Sequence, residues 1–177
     1  MRTIFFGLVM AASFSSVGTA LGQDTLVVVF GTVMEVSSRE AVSDIEVNAI
    51  DLKWGRRVIG RVGGGGRYEL HFLDEAEYMV EFSAPGFASK RLRLNLHGPT
   101  AEDWVGGFGM EIDITLFREL PGLDLSLFEQ PMGICNYSKD SARFEWDTVH
   151  VNGMRERSLR LLEAYEEDLR SKPATTR

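Results

Sequence analysis

The sequence predicts a mainly β protein: an antiparallel sandwich of about seven strands, followed by an extension and a terminal α-helix. Three observations carry that expectation. Between Leu26 and Leu116 apolar residues alternate with polar ones in run after run, the two-residue period of half-buried strands. The runs are short, and glycine, proline and small polar residues separate them. Only near the C-terminal end, from Met154, does the period lengthen to that of a helix.

Residues 1–22, MRTIFFGLVMAASFSSVGTALG, read differently from the rest. Arg2 supplies a positive start, Ile4 to Ala12 an apolar centre, and Gly18-Thr19-Ala20 or Ala20-Leu21-Gly22 a small-residue cleavage site, the order of a secretory signal peptide. Ser13, Ser15, Ser16 and Thr19 interrupt the run too early for a membrane span, which needs about 20 nearly unbroken apolar residues. The expectation is an exported protein, periplasmic or at the cell surface or outside it, with no membrane span in the mature chain. The sandwich is then expected over residues 24–118 and the extension over 119–177.

Taken in order, Leu26 to Val36 is β-branched and apolar around Gly31, which predicts a long strand bent or bulged at that glycine. Ile45, Val47 and Ala49 alternate with Glu46 and Asn48 in the next strand, which runs on through Trp54 to a basic turn and the short apolar piece Val58-Ile59. Tyr68, Leu70 and Phe72 alternate with Glu69 and His71, and Tyr78, Val80 and Phe82 with Met79 and Glu81. With only Asp74-Glu75-Ala76 between them, these two runs are expected to form a hairpin-like pair ending at Ala84-Pro85-Gly86. Leu92, Leu94 and Leu96 mark one further strand, and Met110 to Leu116 another. Beyond Leu120, Ile134 to Tyr137 and Phe144 to Trp146 flank a segment of hairpin-loop composition. From Met154 to Arg170, Leu162, Tyr165 and Leu169 form the stripe of an amphipathic helix, with Leu161 beside it and Pro173 to end it. The stripe spans too few heptads for a coiled coil.

The four glycines of RVGGGGRYEL, Arg61 to Leu70, invite comparison with a phosphate-binding loop. Such a loop needs lysine and then serine or threonine after its last glycine, and it opens a helix. Here Arg67-Tyr68 follows and the residues after it have strand period, so the glycines are expected to turn the chain. A dinucleotide fingerprint fails for the same reason.

The order of features from Phe30 to Leu96 resembles the carboxypeptidase regulatory-like domain, a transthyretin-like or immunoglobulin-like β-sandwich of secreted bacterial proteins. Gly31-Thr32-Val33 resembles its opening G-x-V, Val42 to Val47 its polar turn into a V-x-V strand, and Gly66 to Leu70 its G-x-Y-x-L step. Tyr78 to Phe87 resembles its strand ending in an aromatic-flanked glycine turn, and residues 120–151 resemble tails that follow such domains in Bacteroidota proteins. One departure is Gly65, where the family often has aspartate or asparagine. The resemblance implies a scaffold or binding role and no catalytic residues. Hydrolases of hydroxyisourate on the transthyretin fold end in Tyr-Arg-Gly-Ser, whereas this chain ends Lys172-Pro173-Ala174-Thr175-Thr176-Arg177.

Composition narrows the partners. Nineteen Lys and Arg stand against 26 Asp and Glu, a formal net charge of −7, and a leader at 1–22 would remove only Arg2. That disfavours nucleic acid and anionic lipid as partners of the whole surface, although Lys90, Arg91 and Arg93 leave room for a local basic face. With Cys135 as the single cysteine no internal disulfide can form, so the core must hold the fold. No histidine is near Cys135 in sequence to activate it, and a buried or incidental thiol is expected. His71, His97 and His150 lack metal-ligand spacing; Asp147 with His150 is the nearest approach to a metal pair, and no metal or other cofactor is expected.

The leading functional expectation is a non-catalytic exported module that binds protein or glycan of the cell envelope. The competing class is a hydrolase using paired carboxylates on one strand face, Glu111 with Asp113 or Glu145 with Asp147, since same-face residues lie about 7 Å apart. For binding, Trp54, Trp104 and Trp146 are the candidates, because an exposed indole stacks on sugars and anchors partners. The turn-rich segment from Leu96 to Gly109 is the expected site, with Trp104 exposed, Phe108 beside it, and Glu102 and Asp103 as its polar groups.

Overall fold

The computed structural model describes residues 26–171. The expected signal peptide and the chain from Lys172 onward, Pro173 included, lie outside the described residues. Within them the protein is mostly β, with two packed sheets and one C-terminal helix. The first sheet holds β1 (Val27–Glu35), β4 (Arg61–Val62), β5 (Arg67–Phe72), β7 (Phe87–Ala88), β9 (Phe108–Glu111) and β10 (Ile114–Arg118). The second holds β2 (Glu46–Asp51), β3 (Arg57–Ile59), β6 (Glu77–Ser83), β8 (Lys90–Asn95), β11 (Pro131–Ser138) and β12 (Arg143–Trp146). The helix α1 spans Thr148–Ser171.

Alternation decides which side of each strand goes inward. On β5 Tyr68, Leu70 and Phe72 are buried while Arg67, Glu69 and His71 are not, and on β8 Leu92 and Leu94 are buried while Arg91 and Arg93 are not. The inward residues of the two sheets meet in one core, where Tyr68 packs edge-on against Phe82 at 5.0 Å and Phe72 lies 4.6 Å from Tyr78. Each such large side chain contributes about 1.5–3 kcal/mol on burial, and no disulfide supplements them among the described residues.

Pairing departs from the expected pattern in three places. The runs Tyr68–Phe72 and Tyr78–Phe82 do not form a hairpin: β5 pairs with β1 and β4, and β6 with β2 and β8 in the opposite sheet. Both runs have a wholly apolar face, and the two apolar faces are buried against each other across the core, as the aromatic contacts record. The expected single strand from Met110 to Leu116 is two, β9 and β10, both parallel to β1. The break sits opposite Gly31: a Cβ there would lie 2.1 Å from the Ile112 carbonyl oxygen, so only glycine lets the two chains come this close. Thr32, which falls in the gap, donates its N–H to the Asp113 carboxylate at 2.8 Å instead of to a strand carbonyl. Third, β11 runs parallel to β8, so the sandwich is mixed rather than purely antiparallel; the long connections through residues 96–107 and 119–130 give the chain room to return in the same direction.

The extension is built into the same sheets. β11 and β12 form the expected hairpin, with Cys135 opposite Trp146 and Tyr137 opposite Phe144, and continue the second sheet. Asp147 caps α1 by accepting the His150 N–H at 2.9 Å, and the His150 ring lies 2.7 Å from the Pro131 carbonyl, which is what this Asp–His pair does in the fold. Met154, Leu162 and Tyr165 bury the helix stripe, and the Tyr165 hydroxyl accepts the Arg118 N–H at 3.3 Å. Leu169 remains exposed.

Two buried groups stand out. Cys135 is enclosed, and burial, reinforced by Glu145, pushes its thiol up to about 12, so it is unreactive as it stands. Lys90 faces inward and is only 8% exposed, with its Nζ 4.7 Å from the Phe128 ring and 5.0 Å from that of Phe117. Burial, then Arg39, pulls its pKa down to about 7.

Candidate functional site

The candidate site is an open groove of about 620 Å³ across the outer face of the first sheet. Strand register builds it. Arg61 on β4 lies opposite Glu69 on β5, Glu69 opposite Phe30 on β1, and Phe30 opposite Glu111 on β9, so four side chains stand in a row across four strands. At about 4.8 Å between strands the row is roughly 14 Å long. Arg67, opposite Thr32, begins the next row on the same face, and Asp113 closes it.

The floor is apolar. Phe30 is half-buried, and its ring lies beside Gly109, which stands opposite Val28. Beneath, the Tyr68 hydroxyl donates to the Ile112 carbonyl at 2.7 Å, and burial holds that phenol far above its ordinary range. The four glycines form the turn at one end. Gly65 and Gly66 have φ of 73° and 71°, and a Cβ on Gly66 would meet the Val33 carbonyl at 2.4 Å. The turn hands Arg67 to the groove, its Nε donating to the Gly64 carbonyl at 3.1 Å.

The rim is polar and carries both signs. Glu69 contacts the His71 ring, while Arg61 and Glu111 are exposed and form no ion pair with a described residue. Asp113 is occupied structurally, one carboxylate oxygen accepting from both the N–H and the hydroxyl of Thr32, at 2.8 and 2.6 Å. Of the paired carboxylates expected from sequence, Glu111 and Asp113 thus reach the same groove, with Asp113 committed to holding the strand break.

The expected site around Trp104 is arranged differently. Trp104 and Phe108 do come together, at 5.3 Å, but both are half-buried in an aromatic cluster with Tyr137 and Phe144 of the β11–β12 hairpin. The Trp104 indole N–H donates to Glu75 at 2.8 Å. Asp103 accepts from the Thr100 N–H and hydroxyl, at 2.7 and 2.8 Å, and these bonds lower its pKa; Glu102 is exposed. The cluster ties the extension to the sandwich. The most exposed indole is Trp54, at 67%, because it sits in the turn between β2 and β3, where Asp51 accepts its N–H at 3.0 Å and no strand covers the ring. Phe30, Arg61, Arg67 and Glu69 escape a reading of the sequence, whose only hint is an aromatic residue on the polar side of a strand.

Among the described residues no cluster of three or more His, Cys, Asp or Glu could hold a metal, and no helix is long and apolar enough to cross a membrane. No family model matches the chain, and no curated protein does. Solved structures with some likeness include a 3-chlorocatechol 1,2-dioxygenase from Rhodococcus opacus, 11% identical over 56% of this chain with a TM-score of 0.40. This chain spans 62% of that enzyme's length. Another is the pilus 2b backbone protein of group B streptococcus, 10% identical over 51% of this chain and 40% of its own, with a TM-score of 0.36. A dioxygenase domain from a Streptomyces species is 12% identical over 58% of this chain and 84% of its own, at 0.35. Likenesses this low say nothing about activity, and the fold stands on the chain's own strand pairing.

Proposed function

We propose that the protein is a non-catalytic exported binding module of carboxypeptidase regulatory-like type, and that it holds a glycan of the cell envelope in the groove over Phe30. The row Arg61–Glu69–Phe30–Glu111 carries this reading. An aromatic ring offers a face for the apolar side of a sugar, and carboxylates on both sides with guanidinium groups on one meet its hydroxyls. The groove is shallow and open along the sheet, which suits a chain rather than an enclosed small molecule. The tripartite N-terminus supports export.

Hydrolysis through paired carboxylates is the second reading, favoured by Glu111 and Asp113 lining the same groove. One experiment separates the two. The full chain is titrated calorimetrically with soluble envelope oligosaccharides, and the mixtures are assayed for released reducing ends. The binding reading expects saturable heat, lost in Phe30→Ala, and no reducing ends. Turnover abolished by Glu111→Gln would replace it with the hydrolase, and binding unchanged in Phe30→Ala would remove the groove from consideration.

A further inference from the structure

One side of the sandwich is closed by a single run of chain: β3 ends the second sheet and, across Gly60, β4 ends the first. In the β2–β3 pair, the Asp51 N–H donates to the Arg56 carbonyl at 2.9 Å and the Gly60 N–H to that of Val47 at 2.7 Å. Pairs separated by two residues repeat this bonded state in an antiparallel ladder, so Val58 opposite Ala49 faces β2. The N–H and C=O groups of Arg57 and Ile59 therefore point the other way, to an edge with which no described strand pairs.

The side chains around this edge do not shield it. Ile59 is 74% exposed, and Trp54 and Val62 are exposed too. The local charge is opposite to that of the molecule. From Leu52 to Tyr68 the chain has Lys53, Arg56, Arg57, Arg61 and Arg67 and no Asp or Glu, in a protein of net charge −7. Arg56 is neutralised by Asp51 at 2.9 Å and Asp74 at 2.8 Å, whereas Arg57 and Arg61 form no ion pair with a described residue. Natural edges are commonly blunted by short strands and charge. Here charge of one sign accompanies exposed apolar groups and free backbone donors and acceptors.

We propose that the β3 edge docks an acidic polypeptide segment in extended form, as an added strand. The backbone groups of Arg57 and Ile59 would supply the ladder, Arg57 and Lys53 would meet the acidic side chains, and Ile59 and Trp54 the apolar ones. A lipid surface could use the cations and the indole but has no partner for the outward N–H and C=O groups, whereas the backbone of an extended peptide matches them. The proposal stands apart from the groove: Arg57, Ile59 and Trp54 do not line it.

The test is fluorescence anisotropy of a labelled short peptide repeating Glu-Ser-Val-Ser, which sets glutamate and valine in turn on the one strand face that meets Arg57 and Ile59, against the full protein, at low and high salt. Saturable binding that weakens with salt is expected, with none for the same peptide carrying lysine for glutamate. Arg57→Glu should weaken it roughly tenfold or more. Ile59→Pro, which removes an outward N–H without touching the β2–β3 ladder, should do the same at unchanged circular dichroism. A peptide N-methylated at alternate residues probes the backbone bonds with the protein unaltered, and one of the two methylation registers should fail to bind. Binding indifferent to both N-methylated registers, or equal binding of the lysine peptide, overturns the proposal. So does binding to phosphatidylglycerol vesicles with none to the glutamate peptide, which would make the face a lipid surface.

Discussion

The outer faces of the two sheets carry the same alternation of charged and apolar residues and reach opposite electrostatic states. On the second sheet Arg91 meets Glu81 at 2.7 Å and Arg93 meets Glu77 at 2.6 Å, a ladder of cross-strand pairs between β8 and β6. On the first sheet Phe30 lies between Glu69 and Glu111, and Arg61 and Arg67 stand at the margin. One face neutralises itself and the other keeps its charges for something else. Neither composition nor directly opposite register distinguishes them: Arg61 stands opposite Glu69 without forming an ion pair with it, whereas Arg93 reaches diagonally across the strands to Glu77.

The largest expected effect breaks the first face at its foundation. Gly31→Val puts a side chain where a Cβ already lies 2.1 Å from the Ile112 carbonyl oxygen, and it should cost about 3 kcal/mol or more. Urea denaturation measures it, and a midpoint within error of the parent would show that β9 and β10 do not depend on this close approach.

Lys90 sharpens the contrast from inside, since it neighbours Arg91 on β8 but faces rings rather than a carboxylate. With its pKa pulled down to about 7 from an ordinary 10.5, the unfolded chain holds a proton between those values that the folded chain has lost. Stability therefore rises with pH through that window and is lowest, on this account, below 7. The two ring faces favour the charged form and offset part of the cost. Lys90→Met should flatten the rise and gain about 2 kcal/mol near neutral pH and below. Urea midpoints across the window check it, and a parallel pH dependence in parent and variant would contradict it.

Tyr68→Phe leaves the Ile112 carbonyl without its buried donor and should cost about 1 kcal/mol, with the groove's outer residues unchanged. A double-mutant cycle on Arg91 and Glu81 should give a small coupling, about 0.5 kcal/mol, because both side chains are more than a third exposed. Arg61→Ala should leave stability within about 0.5 kcal/mol while weakening glycan binding. A loss above about 1 kcal/mol in Arg61→Ala would mean that Arg61 is held by the fold as Arg91 and Arg93 are, and the two faces would not differ as described.

Much of the fold was legible along the chain. The strand from Leu26 to Val36, the short piece at Val58-Ile59, the glycine turn before Tyr68, the hairpin at Ser138 to Arg143 and the terminal helix all follow from local rules: period, turn residues and, in the glycine turn, the backbone freedom of glycine. These are properties of neighbours in sequence, so sequence by itself determined them. Which strands pair was decided only by the tertiary structure. Tyr68–Phe72 and Tyr78–Phe82 carry the same alternation whether they form a hairpin or oppose each other across a core, and only the competition of β1, β2 and β8 for their edges chooses. The groove follows from that choice, because Arg61, Glu69, Phe30 and Glu111 come from four separate strands and meet through register alone. Trp104 shows the converse: its sequence surroundings of acids and glycines predict exposure, while Phe144 and Glu75, brought from two distant segments, join the nearby Phe108 in claiming its faces and its N–H. Burial is a sum over partners distant in the chain, and no local pattern contains that sum.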